Sequence, residues 1–190
     1  MRVPKRLQIW TLLVALFLLG CTESLNWREV SLLFYEDGVA VGVVHLPSKP
    51  TTQTRTLPLA GEPRELRLLA SSVQGRVFAV GSVKVSAEAQ VASVQKELLQ
   101  AMLRNLGQKP EQITRKIEQL IPDVLTARSG KRIPVYVLEE QGVLPSGEAG
   151  QLVMKVFALH GIVYELLALG PKDEVLSDAA AYFMTSLVLY

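Results

Sequence analysis

Val77-Phe78-Ala79-Val80-Gly81-Ser82-Val83, entered through Gln74-Gly75 and followed from Ser86 by a run to Leu106, is the stretch that decides the fold. Its first half is apolar and valine-rich, and Gln74-Gly75 suits a tight hairpin turn, so it reads as the second strand of a hairpin. The second half changes period. Val91, Val94, Leu98, Leu99, Met102, Leu103 and Leu106 fall at helical spacing and fill about half the helical wheel. Ser93, Lys96, Glu97, Gln100 and Arg104 fill the other half. Ser86 is expected to cap this helix, with Glu88 in the first turn and Gly107 as its stop. A helix with one apolar face, following directly on a strand, is built to cover a sheet.

Upstream, residues 26–85 read as consecutive strands. Val39 to Leu46 is apolar and bounded by Asp37-Gly38 and Pro47, Thr51 to Leu57 is threonine-rich and edge-like, and Glu65-Leu66-Arg67-Leu68 alternates polar with apolar in a strand that continues to Val73. Downstream, residues 109–128 allow two readings. Pro110 can open a helix carrying Ile113, Ile117, Leu120 and Ile121 on one face, closed by Pro122, or the same residues can form a strand leading to Val124. Strand patterns return at Val135 to Leu138 and Leu152 to Leu159, and His160-Gly161 suits a turn into Ile162 to Leu167, which Gly170-Pro171 ends. A short helix from about Ser177 to Thr185 and an apolar tail complete the chain. The order predicts an α+β fold: an antiparallel meander with a long amphipathic helix and a short C-terminal helix packed on it.

An N-terminal signal or anchor helix is expected ahead of this domain. Arg2, Lys5 and Arg6 precede Leu7 to Leu19, a run of 13 residues in which only Gln8 and Thr11 are polar. This is the layout of a secretory signal. Thirteen helical residues cover ~20 Å, short of the ~30 Å hydrocarbon core of a bilayer. The sole cysteine follows at once, in Leu18-Leu19-Gly20-Cys21. That tetrapeptide resembles a bacterial lipobox, which implies cleavage before Cys21 and acylation of its thiol and new amine. Two or more acyl chains anchor stably where one binds reversibly. Thr22 stands where Asp usually signals retention at the inner membrane, which implies an outer-membrane location facing the periplasm. The alternative is a single-span inner-membrane protein with an uncleaved first helix. The expected organisation is therefore a signal peptide over 1–20, a lipidated tether over 21–25 and one domain over 26–190.

The 190 residues are 49% hydrophobic and 20% charged, with 20 basic and 18 acidic side chains and a net charge of +2. The hydrophobic fraction excludes a disordered chain. One cysteine excludes an internal disulfide, and two histidines argue against a histidine-rich metal site. Three of the cations belong to residues 1–20, so the remaining chain holds 17 basic against 18 acidic residues. A near-neutral domain does not suit nucleic acid.

Catalytic signatures are missing from the sequence: there is no phosphate-binding glycine motif and no G-x-S-x-G elbow. Acylation of Cys21 would also consume the only thiol. Glu139-Glu140 is expected in a solvated turn before Gly142, with the two side chains on opposite faces if the segment is a strand. His45 and His160 are the tentative ligand candidates, each a possible base or metal ligand, with Asp173 or Glu174 as an oxygen donor if the histidines meet. The loop Arg128-Ser129-Gly130-Lys131-Arg132 is basic, and reads as a soluble turn or a contact for anionic lipid headgroups. Trp27, Phe34, Tyr35 and Tyr136 either line a cleft or fill the core.

Asn26-Trp27-Arg28-Glu29-Val30, Pro47-Ser48-Lys49-Pro50, Phe78-Ala79-Val80-Gly81 and the ending Tyr164…Gly170-Pro171…Ala181-Tyr182-Phe183…Ser186 resemble small uncharacterised proteobacterial lipoproteins. The tail of strand, Gly-Pro and helix is similar to the PsbP-like/Mog1-type α/β/α sandwich. The short hairpin usual near the start of that family is represented here only by the turn Tyr35-Glu36-Asp37-Gly38. The resemblance implies no catalytic residues and no cofactor. The expected function is a non-enzymatic binding or scaffold domain, held to membrane lipid through Cys21, with an envelope protein as its partner. A periplasmic enzyme or a metal or small-ligand carrier using His45 and His160 is the alternative.

Overall fold

The computed structural model describes residues 25–33 and 40–190. The signal segment, Cys21 and the Tyr35–Gly38 turn lie outside them. Ten strands and three helices follow in the order β1 (Arg28–Leu33), β2 (Ala40–Leu46), β3 (Thr51–Leu59), β4 (Glu62–Val73), β5 (Arg76–Lys84), α1 (Glu88–Asn105), α2 (Pro110–Gln119), β6 (Asp123–Thr126), β7 (Arg132–Val143), β8 (Ala149–Leu159), β9 (Ile162–Pro171), α3 (Glu174–Thr185) and β10 (Val188–Leu189). The fold is α+β and mostly antiparallel sheet.

Seven strands form one antiparallel sheet in the order β3-β4-β5-β9-β8-β7-β6. Three of its hairpins close on two-residue turns with both residues in the left-handed region. These are Ala60-Gly61 (φ 51° and 79°), Gln74-Gly75 (51° and 76°) and His160-Gly161 (51° and 74°). Paired positive φ values match the right-handed twist of the flanking strands, and glycine at the second position carries no Cβ penalty. β9 lies at the centre of the sheet, and its residues Ile162 to Gly170 are all buried. This explains its nearly unbroken apolar run, since a strand covered on both faces does not alternate.

Each face of the sheet has its own core. Ala79, Val83, Met154, Val156, Val163 and Leu167 pack with Val94, Leu98, Leu99 and Leu103 of α1 and with Ile113 and Ile117 of α2. The other face sets Phe78, Val80, Phe157, Tyr164 and Leu166 against Leu32, Val44, Leu46, Ala180 and Phe183. The sheet is thus sandwiched between α1 with α2 on one side and α3 with a small sheet on the other.

That small sheet corrects the expected single meander. β1, β2 and β10 form a separate three-stranded sheet, so the chain changes sheets between Leu46 and Thr51. The Pro47-Ser48-Lys49-Pro50 segment suits this crossing, because proline cannot donate to a ladder. β2 takes the C-terminal residues as its second neighbour: Val188 pairs with Val43 and Leu189 with Gly42. A Cβ on Gly42 would collide with the Val188 carbonyl oxygen, so glycine permits the approach.

Three local expectations also change. Ser86 does not cap α1. Ala87 is the N-cap, with no side-chain bond, because Ser86 lies one residue too early to serve the first turn. The opposite end is as expected: Gly107 has φ 69°, its N–H bonds Arg104 O at 3.0 Å, and Gln108 N–H bonds Leu103 O at 3.2 Å, a Schellman ending. Residues 109–128 use both readings in turn, helix α2 and then strand β6, with Pro122 between them. Glu139-Glu140 lies inside β7 rather than in a turn, because pairing with β8 continues to Val143 and Ala149. The two side chains do point to opposite faces. Glu139 accepts from Gln151 at 3.0 Å, and Glu140 pairs with Lys116 of α2.

Candidate functional site

The side chain of His45 meets a hydroxyl and a carboxylate from two other elements at the surface. Antiparallel pairing places His45 of β2 opposite Glu29 of β1, and Nε2 stands 3.8 Å from Glu29 Oε2. The other ring nitrogen, Nδ1, is 2.7 Å from the Tyr182 hydroxyl of α3. A neutral ring with its proton on Nε2 would accept the Tyr182 proton at Nδ1 and direct Nε2–H toward the carboxylate. Trp27, just before β1, meets Tyr182 edge-on at 4.5 Å between ring centroids and reaches Phe78 of the main sheet at 6.2 Å. His45 and Tyr182 are partly exposed, whereas Phe78 is fully buried. The cluster is therefore a surface corner seated on the core.

Ser186 completes the corner, one turn beyond Tyr182. Its hydroxyl accepts the His45 backbone N–H at 3.0 Å and donates to Phe183 O at 2.7 Å. The first bond holds the end of α3 against β2, and the second fixes the hydroxyl on the last turn of the helix. The hydroxyl engages the histidine backbone, not its ring, so Ser186 and His45 do not form a nucleophile–base pair. The arrangement can hydrogen-bond a polar group at the surface, and it braces α3.

His160 stands elsewhere, at the first turn position between β8 and β9. Asp173, the proposed oxygen donor, is engaged by Arg76 through Nε at 3.4 Å and through Nη2. The side chain of Glu174 is outside the described set. Among the described residues no group of three His, Cys, Asp or Glu is placed to hold a metal. The basic Arg128–Arg132 loop joins β6 to β7, where Arg128 lies over the Tyr190 ring at 5.5 Å and its N–H bonds Leu189 O. Trp27 and Tyr136 pack against different cores on opposite faces of the main sheet, so they line no common cleft.

Two titratable groups escape a reading of the sequence alone. Glu165 of β9 is 2% exposed, and burial raises its carboxyl to about 7. The one visible signal was a lone acid inside an otherwise apolar strand. Lys155 of β8 donates from Nζ to Met184 O at 2.8 Å. Burial lowers its pKa, opposed by the charge of Asp123.

No family model matches the sequence, and no curated protein matches it. Solved structures similar to this chain include one from Bacteroides thetaiotaomicron, at 12% identity and a TM-score of 0.44 over 86% of this chain. The match covers 48% of the Bacteroides chain, so this chain spans about half its length. LpqN, described as involved in cell envelope biogenesis of Mycobacterium tuberculosis, is 13% identical with a TM-score of 0.43, over 86% of this chain and 91% of its own. A Pseudomonas aeruginosa protein of unknown function is 12% identical with a TM-score of 0.35, over 83% of this chain and 93% of its own.

Proposed function

We propose that this protein is a bacterial envelope lipoprotein, anchored through acylated Cys21, whose α+β domain is a non-enzymatic binding or scaffold module in the periplasm. The observation that carries the reading is Leu18-Leu19-Gly20-Cys21 placed directly after a charged start and an apolar run. Thr22 after the cysteine favours the outer membrane. The layering of α1 and α2 on one face of the sheet and α3 on the other supports the proposed kinship with PsbP-like/Mog1-type sandwiches.

Among the described residues no helix is long and apolar enough to cross a membrane. The single-span alternative therefore rests on residues 7–19, outside that set. Palmitate labelling separates the two: the wild type should incorporate label and Cys21→Ala should not. Equal labelling of both chains refutes the anchor.

A further inference from the structure

We propose that the corner formed by Leu25, Trp27, Lys49, Pro50 and Tyr182 is the face of the domain that lies against the bilayer. The proposal rests on the lipoprotein reading above and adds an orientation to it. From Cys21 to Leu25 there are four peptide units, a reach of at most ~14 Å. The folded body begins immediately afterwards, since the Asn26 N–H bonds the Pro47 carbonyl at 2.7 Å and Trp27 is wedged between Tyr182 and Phe78. An acylated Cys21 thus holds this corner within one short tether of the headgroups.

The chemistry of the corner fits that position. Leu25 and Tyr182 are among the exposed large hydrophobic residues, at 38% and 44%, and Trp27 is partly exposed beside them. Tryptophan and tyrosine rings favour the membrane–water interface, where an apolar body and a polar edge are both accommodated. Arg28 and Lys49 are exposed at the same end of the small sheet, where cations meet lipid phosphates.

The opposite end of that sheet has a different claim on lipid. Tyr190 N–H bonds Val41 O, and the basic Arg128 stands beside it. Val41 and Leu46 are five residues apart along β2, about 17 Å. The tether holds the Leu46 end, so it presents Trp27 and Tyr182 to the membrane and keeps the basic loop away.

Trp27 is its own reporter, because the other tryptophan, Trp10, lies in the segment that cleavage removes. The mature lipidated protein, reconstituted into phosphatidylethanolamine–phosphatidylglycerol vesicles, is compared with and without bromine-labelled acyl chains, which quench tryptophan only at short range. Emission from Trp27 should fall about twofold, as for a ring in the ~5–10 Å interfacial zone. In a Trp27→Phe background, Tyr182→Trp should be quenched strongly and Tyr190→Trp should keep its emission. Palmitate labelling of the same preparations separates the two ideas. Labelled protein with unquenched Trp27, or with equal quenching at positions 182 and 190, overturns the orientation and leaves the anchor intact. Unlabelled protein overturns both.

Discussion

Glu165 on β9 lies across the ladder from Gly81 on β5, and its carboxylate folds over the space a side chain would fill there. A Cβ on Gly81 would stand 2.5 Å from both Cγ and Oε1 of Glu165. The acid faces the core shared with α1, and its Oε2 has no hydrogen-bond partner among the described residues. On that face Val83, Ala79, Val156, Val163 and Leu167 surround it, and α1 adds Leu98 and Leu99, so desolvation dominates.

This burial makes stability depend on pH. The folded carboxyl titrates at about 7 against an ordinary 4.5, so between those values the folded state holds a proton that the unfolded chain has released. Stability is fully present below about 4.5 and declines as pH rises through about 7, by ~3 kcal/mol if no relaxation occurs. Glu165→Gln, which cannot ionise, should show a nearly flat profile over that window and exceed the wild type at pH 8. Urea unfolding at pH 5 and pH 8 checks this, and identical pH slopes for the two chains refute it.

Gly42→Ala should detach the C-terminal strand. The added methyl group meets the Val188 backbone, and overpacking of this kind costs about 1–3 kcal/mol. The loss should be local, so amide exchange at Tyr190, whose N–H bonds Val41 O, should accelerate far more than exchange in β9. Uniform acceleration across both sheets would contradict that picture.

Tyr182→Phe and Tyr182→Ala separate the two roles of that side chain. The phenylalanine variant loses only the bond to His45, at about 0.5–1.5 kcal/mol for a neutral bond and toward the lower end in this partly exposed setting. The alanine variant also loses the edge contact with Trp27, and should red-shift Trp27 emission as that ring gains water. Thermal unfolding and fluorescence on both variants test the ordering.

Arg64 of β4 is a buried cation that ties its strand to β3, β5 and α1. Its guanidinium bonds Leu59 O at 3.2 Å, Lys84 O at 3.2 Å and Glu62 at 2.7 Å, and it also reaches Gln90 of α1. Arg64→Ala removes these bonds together, a loss of about 2–4 kcal/mol. The start of α1 should loosen first, visible as faster amide exchange around Val91. A loss below half a kcal/mol in chemical denaturation would show the cluster to be incidental.

Much of the local structure was legible because its causes are local. The Gln74-Gly75 and His160-Gly161 turns, the Gly107 helix end and the α1 stripe each depend on residues within a few positions. Glu165 is passed over in the sequence, because nothing near it in the chain indicates that Gly81 makes room for a buried acid. His45 was singled out by residue type alone, since its partner Tyr182 lies 137 residues away.

By itself, then, the sequence determined the alternation of strands and helices, the turn chemistry and the motif at Cys21, because backbone preference and periodicity act over short distances. Only the tertiary structure decided that β2 leaves the meander to pair with the last residues of the chain, that Trp27, His45 and Tyr182 share a corner, and that Trp27 and Tyr136 lie on opposite faces. Those outcomes depend on which apolar faces meet across the whole domain, and no local window contains both sides of such a contact.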